Sequence, residues 1–277
     1  MLHGIFGRPH LDLEPYLDLT KLDEVHDEVC LALTQLPLDY TGGSHRSMGI
    51  VPPSLRDEPW IDYGEVIRDF DDAQFEIFRS LADDPSSIPS MTALDASGRA
   101  ELEFGEERDH PLSRRQMLWL EHRFGVYFPW KKYLELIPNR WWSEKANPEG
   151  KSFCRMARNF FPKTITLVET LPFIAIGRCN VMGLSSNDFG TVHRDREPRA
   201  GAAPDPFIAL CPARDKRLFL WDEETRRKHV ITGRAYWFND ADYHGVDADP
   251  WFRYSIRVDG VFEPEFLARL ERDREQP

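Results

Sequence analysis

FIAIGRCNVM (173–182), GTVHRD (190–195), PFIALCP (206–212), RLFLWD (217–222), KHVI (228–231), RAYWF (234–238), HGVDA (244–248) and FRYSIRVDGV (252–261) are short apolar runs set between turn residues. They are rich in Val, Ile, Phe, Tyr and Trp, residues that fit a pleated, half-buried surface better than a helix. Eight such runs in about ninety residues predict a mainly β core, a jelly roll or small barrel. Greek-key order is not readable from the sequence.

Moving towards the N-terminus, FPKTITLVETLPF (161–173) places Ile165, Leu167, Val168 and Leu171 on one side of a short helix that Pro172 stops. A boundary near residue 150 follows from the turn Asn147-Pro148-Glu149-Gly150. Ahead of it, SRRQMLWLEHRFGVYF (113–128) reads as a helix and PWKKYLELIPNRWW (129–142) as an aromatic-rich segment. LDEVHDEVCLALTQL (22–36) follows helical spacing loosely through Leu22, Val25, Val29, Leu31 and Leu33, and 83–105 reads as loop. The chain therefore divides into a helical and loop region, 1–150, that shapes a substrate entrance, and a β core, 151–277.

Composition narrows the function. The 277 residues carry 35 Lys and Arg against 47 Asp and Glu, a formal charge of −12, the opposite of what phosphate contacts require, so nucleic acid is not an expected partner. The balance is uneven: residues 1–110 hold 24 acidic and 8 basic side chains, residues 111–277 hold 23 and 27. The mildly basic second part suits a site for small anions. Cys30, Cys154, Cys179 and Cys211 form no CxxC pair or zinc pattern, so a reducing cytoplasm is expected. No apolar run approaches the length of a membrane span and no signal peptide is visible.

The second run contains His193-Arg194-Asp195, and His244 opens the seventh. On a strand, positions i and i+2 share a face, so His193 and Asp195 project together into the barrel, where His244 from another strand closes a triangle. Two imidazoles and one carboxylate on one face, with open positions opposite, are the ligand set of non-haem Fe(II). His10-Leu11-Asp12 and His26-Asp27-Glu28 show how common such pairs are alone, and neither lies in the β-rich region with a second histidine suitably placed. The last run adds to the case. Alternation puts Arg253, Ser255 and Arg257 on one face and Tyr254, Ile256 and Val258 on the other. Inward arginines need anions, and a guanidinium fork matches a carboxylate, so a dicarboxylate such as 2-oxoglutarate suits Arg253.

From Phe161 to Asp259, roughly a third of the chain, the sequence resembles the aspartyl/asparaginyl β-hydroxylase family of Fe(II)/2-oxoglutarate-dependent dioxygenases. FPKTITLVETLP resembles the helix before that family's core, GTVHRD its metal-binding strand, and GRAYWFNDADYHGVDADPWFRYSIRVD its closing block. The resemblance implies a cupin-like double-stranded β-helix (jelly roll) with flanking α-helices, and Fe(II), 2-oxoglutarate and O2 as cofactor and cosubstrates. It implies His193, Asp195 and His244 as metal ligands and catalytic centre, and Arg253 as partner of the distal carboxylate of 2-oxoglutarate, with Asn180, Ser255 and Arg257 as further cosubstrate contacts. Related halogenases lack the carboxylate ligand, so Asp195 implies hydroxylation, of the β-carbon of an amino acid or of a residue in a peptide. Peptide natural-product tailoring fits the family-unlike N-terminal region.

One departure stands out. The family's third strand carries Arg-x-His, whereas this chain has Phe207-Ile208-Ala209-Leu210, leaving Arg257, Arg217 and Arg199 to hold the other end of the cosubstrate. Two other readings stay open: a cupin-type metalloenzyme without 2-oxoglutarate (an isomerase or a cosubstrate-free dioxygenase), and a non-enzymatic jelly-roll binding module. The paired Trp141-Trp142 reads as packing, and the loop around His45 (41–47) as a loop with polar tips.

Overall fold

Each of the eight apolar runs forms a strand. In the computed structural model, which describes residues 1–36, 51–55, 61–90, 98, 101–105, 109–128, 132–199 and 201–273, two earlier strands precede them, β1 (His10–Asp12) and β2 (Lys132–Ile137). Then come β3 (Phe173–Leu184), β4 (Gly190–His193), β5 (Phe207–Leu210), β6 (Leu218–Asp222), β7 (Arg227–Val230), β8 (Ala235–Phe238), β9 (His244–Val246) and β10 (Arg253–Phe262). All pair antiparallel, in a six-stranded sheet ordered β1-β8-β5-β10-β3-β2 and a four-stranded sheet ordered β4-β9-β6-β7. Among the eight, β3 pairs with β10, β4 with β9, β5 with β8 and β6 with β7, so this part of the chain doubles back on itself as one long hairpin shared between two sheets.

Helices flank the sheets. On β10, Tyr254, Ile256 and Val258 join one apolar core with Leu22, Val25, Val29 and Ala32 of α1 (Leu22–Gln35) and with Leu167 and Val168. Burying such side chains contributes about 1.5–3 kcal/mol each. Arg253, Ser255 and Arg257 take the opposite face, and β10 is central, between β5 and β3, so that face is interior and not a solvent edge. A second cluster holds Tyr63 and Ile67 of α2 (Tyr63–Arg68), Phe75 and Phe78 of α3 (Asp72–Ser80), and Met117 and Leu120 of α4 (Arg114–Phe124). Ser113 opens α4 with a reciprocal cap to Gln116, and Gly125, at φ 72°, ends it in the left-handed region. Just beyond, Tyr127 stacks on Phe189 at 4.6 Å and donates to its carbonyl, joining this cluster to the β3–β4 connection.

The helix expected at 161–173 is α6 (Pro162–Val168), preceded by the separate α5 (Arg155–Phe160); α7 (Pro264–Arg272) closes the described chain. In α1 the buried stripe is Leu22, Val25, Val29 and Ala32, while Leu31 is 64% exposed, which is why the apolar spacing is irregular. Residues before 150 contribute more than helix and loop, because β1 and β2 form the two edges of the larger sheet. The loop around His45 lies outside the described residues. Among the described residues, no helix is long and apolar enough to cross a membrane.

Candidate metal centre

β4 and β9 lie side by side in the smaller sheet with His193 directly opposite His244, so the two imidazoles come within 4.5 Å, centre to centre. Two residues beyond His193 the chain is held by Asp195 N–H donating to the Asp240 carbonyl at 2.9 Å. The Asp195 carboxylate then turns back to the pair, with Oδ1 3.6 Å from His193 Nε2 and 3.7 Å from His244 Nε2. One ligand atom from each residue lies within 4.8 Å of the others.

The backbone fixes which nitrogens face this gap. His193 Nδ1 is 2.8 Å from the Thr191 carbonyl and His244 Nδ1 is 2.9 Å from the Asp242 carbonyl. A carbonyl only accepts, so each Nδ1 carries a proton and each Nε2 is the nitrogen left to face a metal. Ring orientation is thereby set, as metal-binding histidines require. The edge of Phe238 braces the His244 ring at 4.9 Å. Two neutral imidazoles and a carboxylate, all on one side, fit a divalent iron centre.

Asp195 is charged for a specific reason. Burial raises its pKa, but the charges of His244 and His193 when protonated, and of Arg257 and Lys145, together outweigh that and hold the carboxyl below the usual carboxylate range. The two oxygens divide their duties: Oδ1 faces the histidines, and Oδ2 accepts from Arg257 Nη1 at 3.2 Å. Arg257 also donates through Nη2 to Asp240 (2.8 Å) and through Nε to Asp259 (3.0 Å). Lys145 reaches Asp240 at 2.6 Å, and Arg178 grips Asp259 Oδ2 at 2.9 and 2.8 Å. Three cations and three carboxylates thus balance in the interior. Burial lowers the pKa of Arg257, yet Asp259, Asp240 and Asp195 overcome this and raise it, so the guanidinium stays charged. Trp142 lies against Lys145, Arg178 and Arg257, so of the paired tryptophans this one packs on the charge network.

The Asp242 carboxylate accepts from the backbone of His3 (2.7 Å) and Gly4 (2.8 Å), and lies 2.8 Å from His3 Nδ1. The N-terminal residues therefore anchor the turn whose carbonyl orients His244.

The other sequence-selected residues have separate positions. Ser255 Oγ accepts from Lys216 Nζ at 2.8 Å, and Asn180 donates to the Tyr133 hydroxyl at 3.0 Å. Arg253, 0% exposed, directs its guanidinium at the carbonyls of Asp188, Asp247 and Trp251. Of the arginines considered for the other end of the cosubstrate, Arg217 pairs with Asp249 near the surface, Arg199 is exposed, and only Arg257 is inside. Lys145, Arg178, Asp240, Asp259 and Lys216 were not selected from sequence. Arg178 and Asp259 lie in strands and their parity was readable, whereas Lys145 and Lys216 come from loops.

No protein-family model and no curated protein matches the chain. Solved structures that share similarity include an oxidoreductase of the 2OG-Fe(II) oxygenase family from Burkholderia pseudomallei, 12% identical, with TM-score 0.29, over 46% of this chain and 66% of that one. A prolyl-4-hydroxylase from Pseudomonas putida is 12% identical, with TM-score 0.27, over 46% of this chain and 71% of its own. AviO1 from Streptomyces viridochromogenes Tue57 is 12% identical, with TM-score 0.28, over 54% and 80%.

Proposed function

We propose that the protein is an Fe(II)- and 2-oxoglutarate-dependent hydroxylase acting on a C–H bond, at the β-carbon by resemblance, of an amino acid or of a residue in a peptide. The observation that carries the reading is the convergence of His193 Nε2, His244 Nε2 and Asp195 Oδ1, with both imidazoles locked by backbone carbonyls. The jelly-roll reading is supported by the pairings β3–β10, β4–β9, β5–β8 and β6–β7 across two sheets. The aspartyl/asparaginyl β-hydroxylase type is supported by the sequence motifs alone.

His193 and His244 would hold the metal through Nε2 as neutral donors, and Asp195 would supply one negative charge. When bound there, iron together with 2-oxoglutarate and O2 would supply the oxidising chemistry that replaces a substrate C–H by C–OH, one oxygen atom of O2 going to the product and the other to succinate, with CO2 released. Arg257 keeps Asp195 ionised and turned so that one oxygen serves the metal. The apolar residues of the two sheets exclude water. Residues 1–150 shape the entrance, and free thiols at Cys30, Cys154, Cys179 and Cys211 suit a reducing, cytoplasmic setting.

The test is anaerobic loading with Fe(II), then O2, 2-oxoglutarate and panels of free amino acids and Asp- or Asn-containing peptides. Substrate-dependent succinate with a product about 16 Da heavier is expected for one added oxygen. Iron binding without any 2-oxoglutarate turnover would instead favour a cupin-type metalloenzyme.

A further inference from the structure

We infer that the cavity lined by Arg196 and Arg199, beside the loops that carry the metal ligands, binds an acidic residue of a peptide substrate within about four positions of the residue that is hydroxylated. The inference rests on the hydroxylase reading above and selects a peptide over a free amino acid.

The cavity, of about 370 Å³, lies between His3 and Gly4, the β8–β9 turn at Asn239 and Ala241, and Arg196 and Arg199 on the β4–β5 connection. Such a volume is ordinary for a ligand site. Residues 198–206 of that connection read Pro-Arg-Ala-Gly-Ala-Ala-Pro-Asp-Pro, and a Cβ added at Gly201 would meet nothing within 4 Å, so small side chains leave the space open. The connection is nevertheless pinned. Ala202 N–H donates to the Arg199 carbonyl at 3.1 Å with Gly201 at φ 72°, Arg196 Nη2 donates to the Ala203 carbonyl at 3.3 Å, and Trp237 Nε1 donates to that of Asp205 at 2.9 Å.

Charge points to the occupant. The chain has 47 acidic residues, yet among the described residues none lines this cavity. The cations nearest the metal ligands are matched: Lys145 and Arg196 meet Asp205 and Asp240, Arg178 meets Asp259, Arg194 meets Glu197, and Arg257 meets three carboxylates. Arg199 has no such partner among the described residues, and Arg196 spends Nε and Nη2 on the groups named while Nη1 makes no hydrogen bond among them. Two planar guanidinium groups at an acid-free cavity suit a carboxylate.

Position selects a peptide. Arg257 spans Asp195 and Asp240, and the second oxygen of Asp240 accepts from Arg196 Nε at 3.4 Å, so two side chains stand between the metal ligand and the cavity. A free amino acid with its β-carbon at the metal keeps its own carboxylates within two or three bonds of that carbon, too near to pass both. Asp195 and Arg199 are four residues apart, at most about 14 Å between Cα atoms, a span that an extended peptide covers in about four residues.

Fluorescence anisotropy of short labelled peptides on the protein loaded with Fe(II) and 2-oxoglutarate under argon tests this, each peptide having a central Asn and Glu, Gln or Lys placed in turn at each of the four positions on either side. Wild type should bind a Glu peptide about 5-fold more tightly than its Gln counterpart at one or two positions, the worth of a partly exposed ion pair, with Lys weakest and the preference fading as salt rises. Arg199→Ala should bring the Glu-to-Gln ratio to about 2-fold or less, and Arg199→Glu should reverse the order in favour of Lys; the side chain is exposed, and circular dichroism establishes that both variants are folded. Wild type that binds Glu, Gln and Lys peptides alike, or an Arg199→Glu protein that keeps the wild-type order, overturns the inference, and substrate-dependent succinate then leaves the hydroxylase reading standing. Absence of succinate with every peptide and amino acid overturns that reading itself.

Discussion

Replacing Lys216 by methionine should stabilise the protein, and the gain should shrink as pH rises. The Lys216 amine is held at about 7 against 10.5 for an ordinary lysine, burial being the largest cause. The unfolded chain therefore binds this proton more tightly than the folded one, and stability rises with pH across that interval. The penalty approaches about 5 kcal/mol well below pH 7, is about 4 kcal/mol at pH 7 and about 2 kcal/mol at pH 9, and vanishes above about pH 10.5. Methionine keeps most of the side-chain length and has no charge. Against the gain stands Ser255 Oγ, which loses its donor at a cost of about 1–2 kcal/mol that does not vary with pH. Lys216→Met should therefore be more stable than wild type by about 2–3 kcal/mol at pH 7, and the gap should fall by about 2 kcal/mol by pH 9. Urea unfolding followed by circular dichroism at about pH 7, 8 and 9 measures both quantities. A gap independent of pH, or a variant less stable than wild type at neutral pH, would refute the argument.

Other substitutions probe the frame around the metal ligands. Arg257→Gln leaves Asp195, Asp240 and Asp259 without their shared cation, so a loss of about 3–5 kcal/mol in urea unfolding and a roughly 10- to 100-fold weaker iron affinity by titration are expected. Arg257→Lys should rescue little, because one ammonium cannot span three carboxylates. Gly245→Ala sets a methyl group 2.7 Å from the Phe219 ring and 3.0 Å from the Gly190 carbonyl, which should cost about 1–3 kcal/mol and weaken iron binding by shifting its neighbour His244. Ser113→Ala removes the cap of α4 and should cost about 1 kcal/mol in thermal or urea unfolding with iron affinity unchanged.

The strands of the core were legible because each is a short apolar run set between turn residues, even where, as in β5 and β8, every residue is buried and no alternation shows. Parity on β10 separated Tyr254, Ile256 and Val258 from Arg253, Ser255 and Arg257, and the structure buries both sets on opposite faces. His193, Asp195 and His244 were legible from spacing plus the β-rich setting. β1 is only three residues long, and its His10-Leu11-Asp12 reads equally well as a surface pair; β2 was hidden inside an aromatic-rich segment although Tyr133 and Glu135 alternate with Leu134 and Leu136. Pairing between charges was beyond reach: nothing local in Asp215-Lys216-Arg217 distinguishes the 1% exposed Lys216 from the solvated residues beside it. The same holds for Lys145, whose partner Asp240 is 95 residues away. Part of the basic excess of residues 111–277 is now located in the interior, at Lys145, Arg178, Lys216, Arg253 and Arg257.

Anaerobic calorimetric titration of wild type, Asp195→Ala and His244→Ala with Fe(II) tests the central claim most directly, with circular dichroism establishing that each is folded. One equivalent of iron bound by wild type, and none by either folded variant, is the expected result. Iron binding by the variants with wild-type affinity, or none by wild type, would contradict the assignment of His193, Asp195 and His244 as a metal centre.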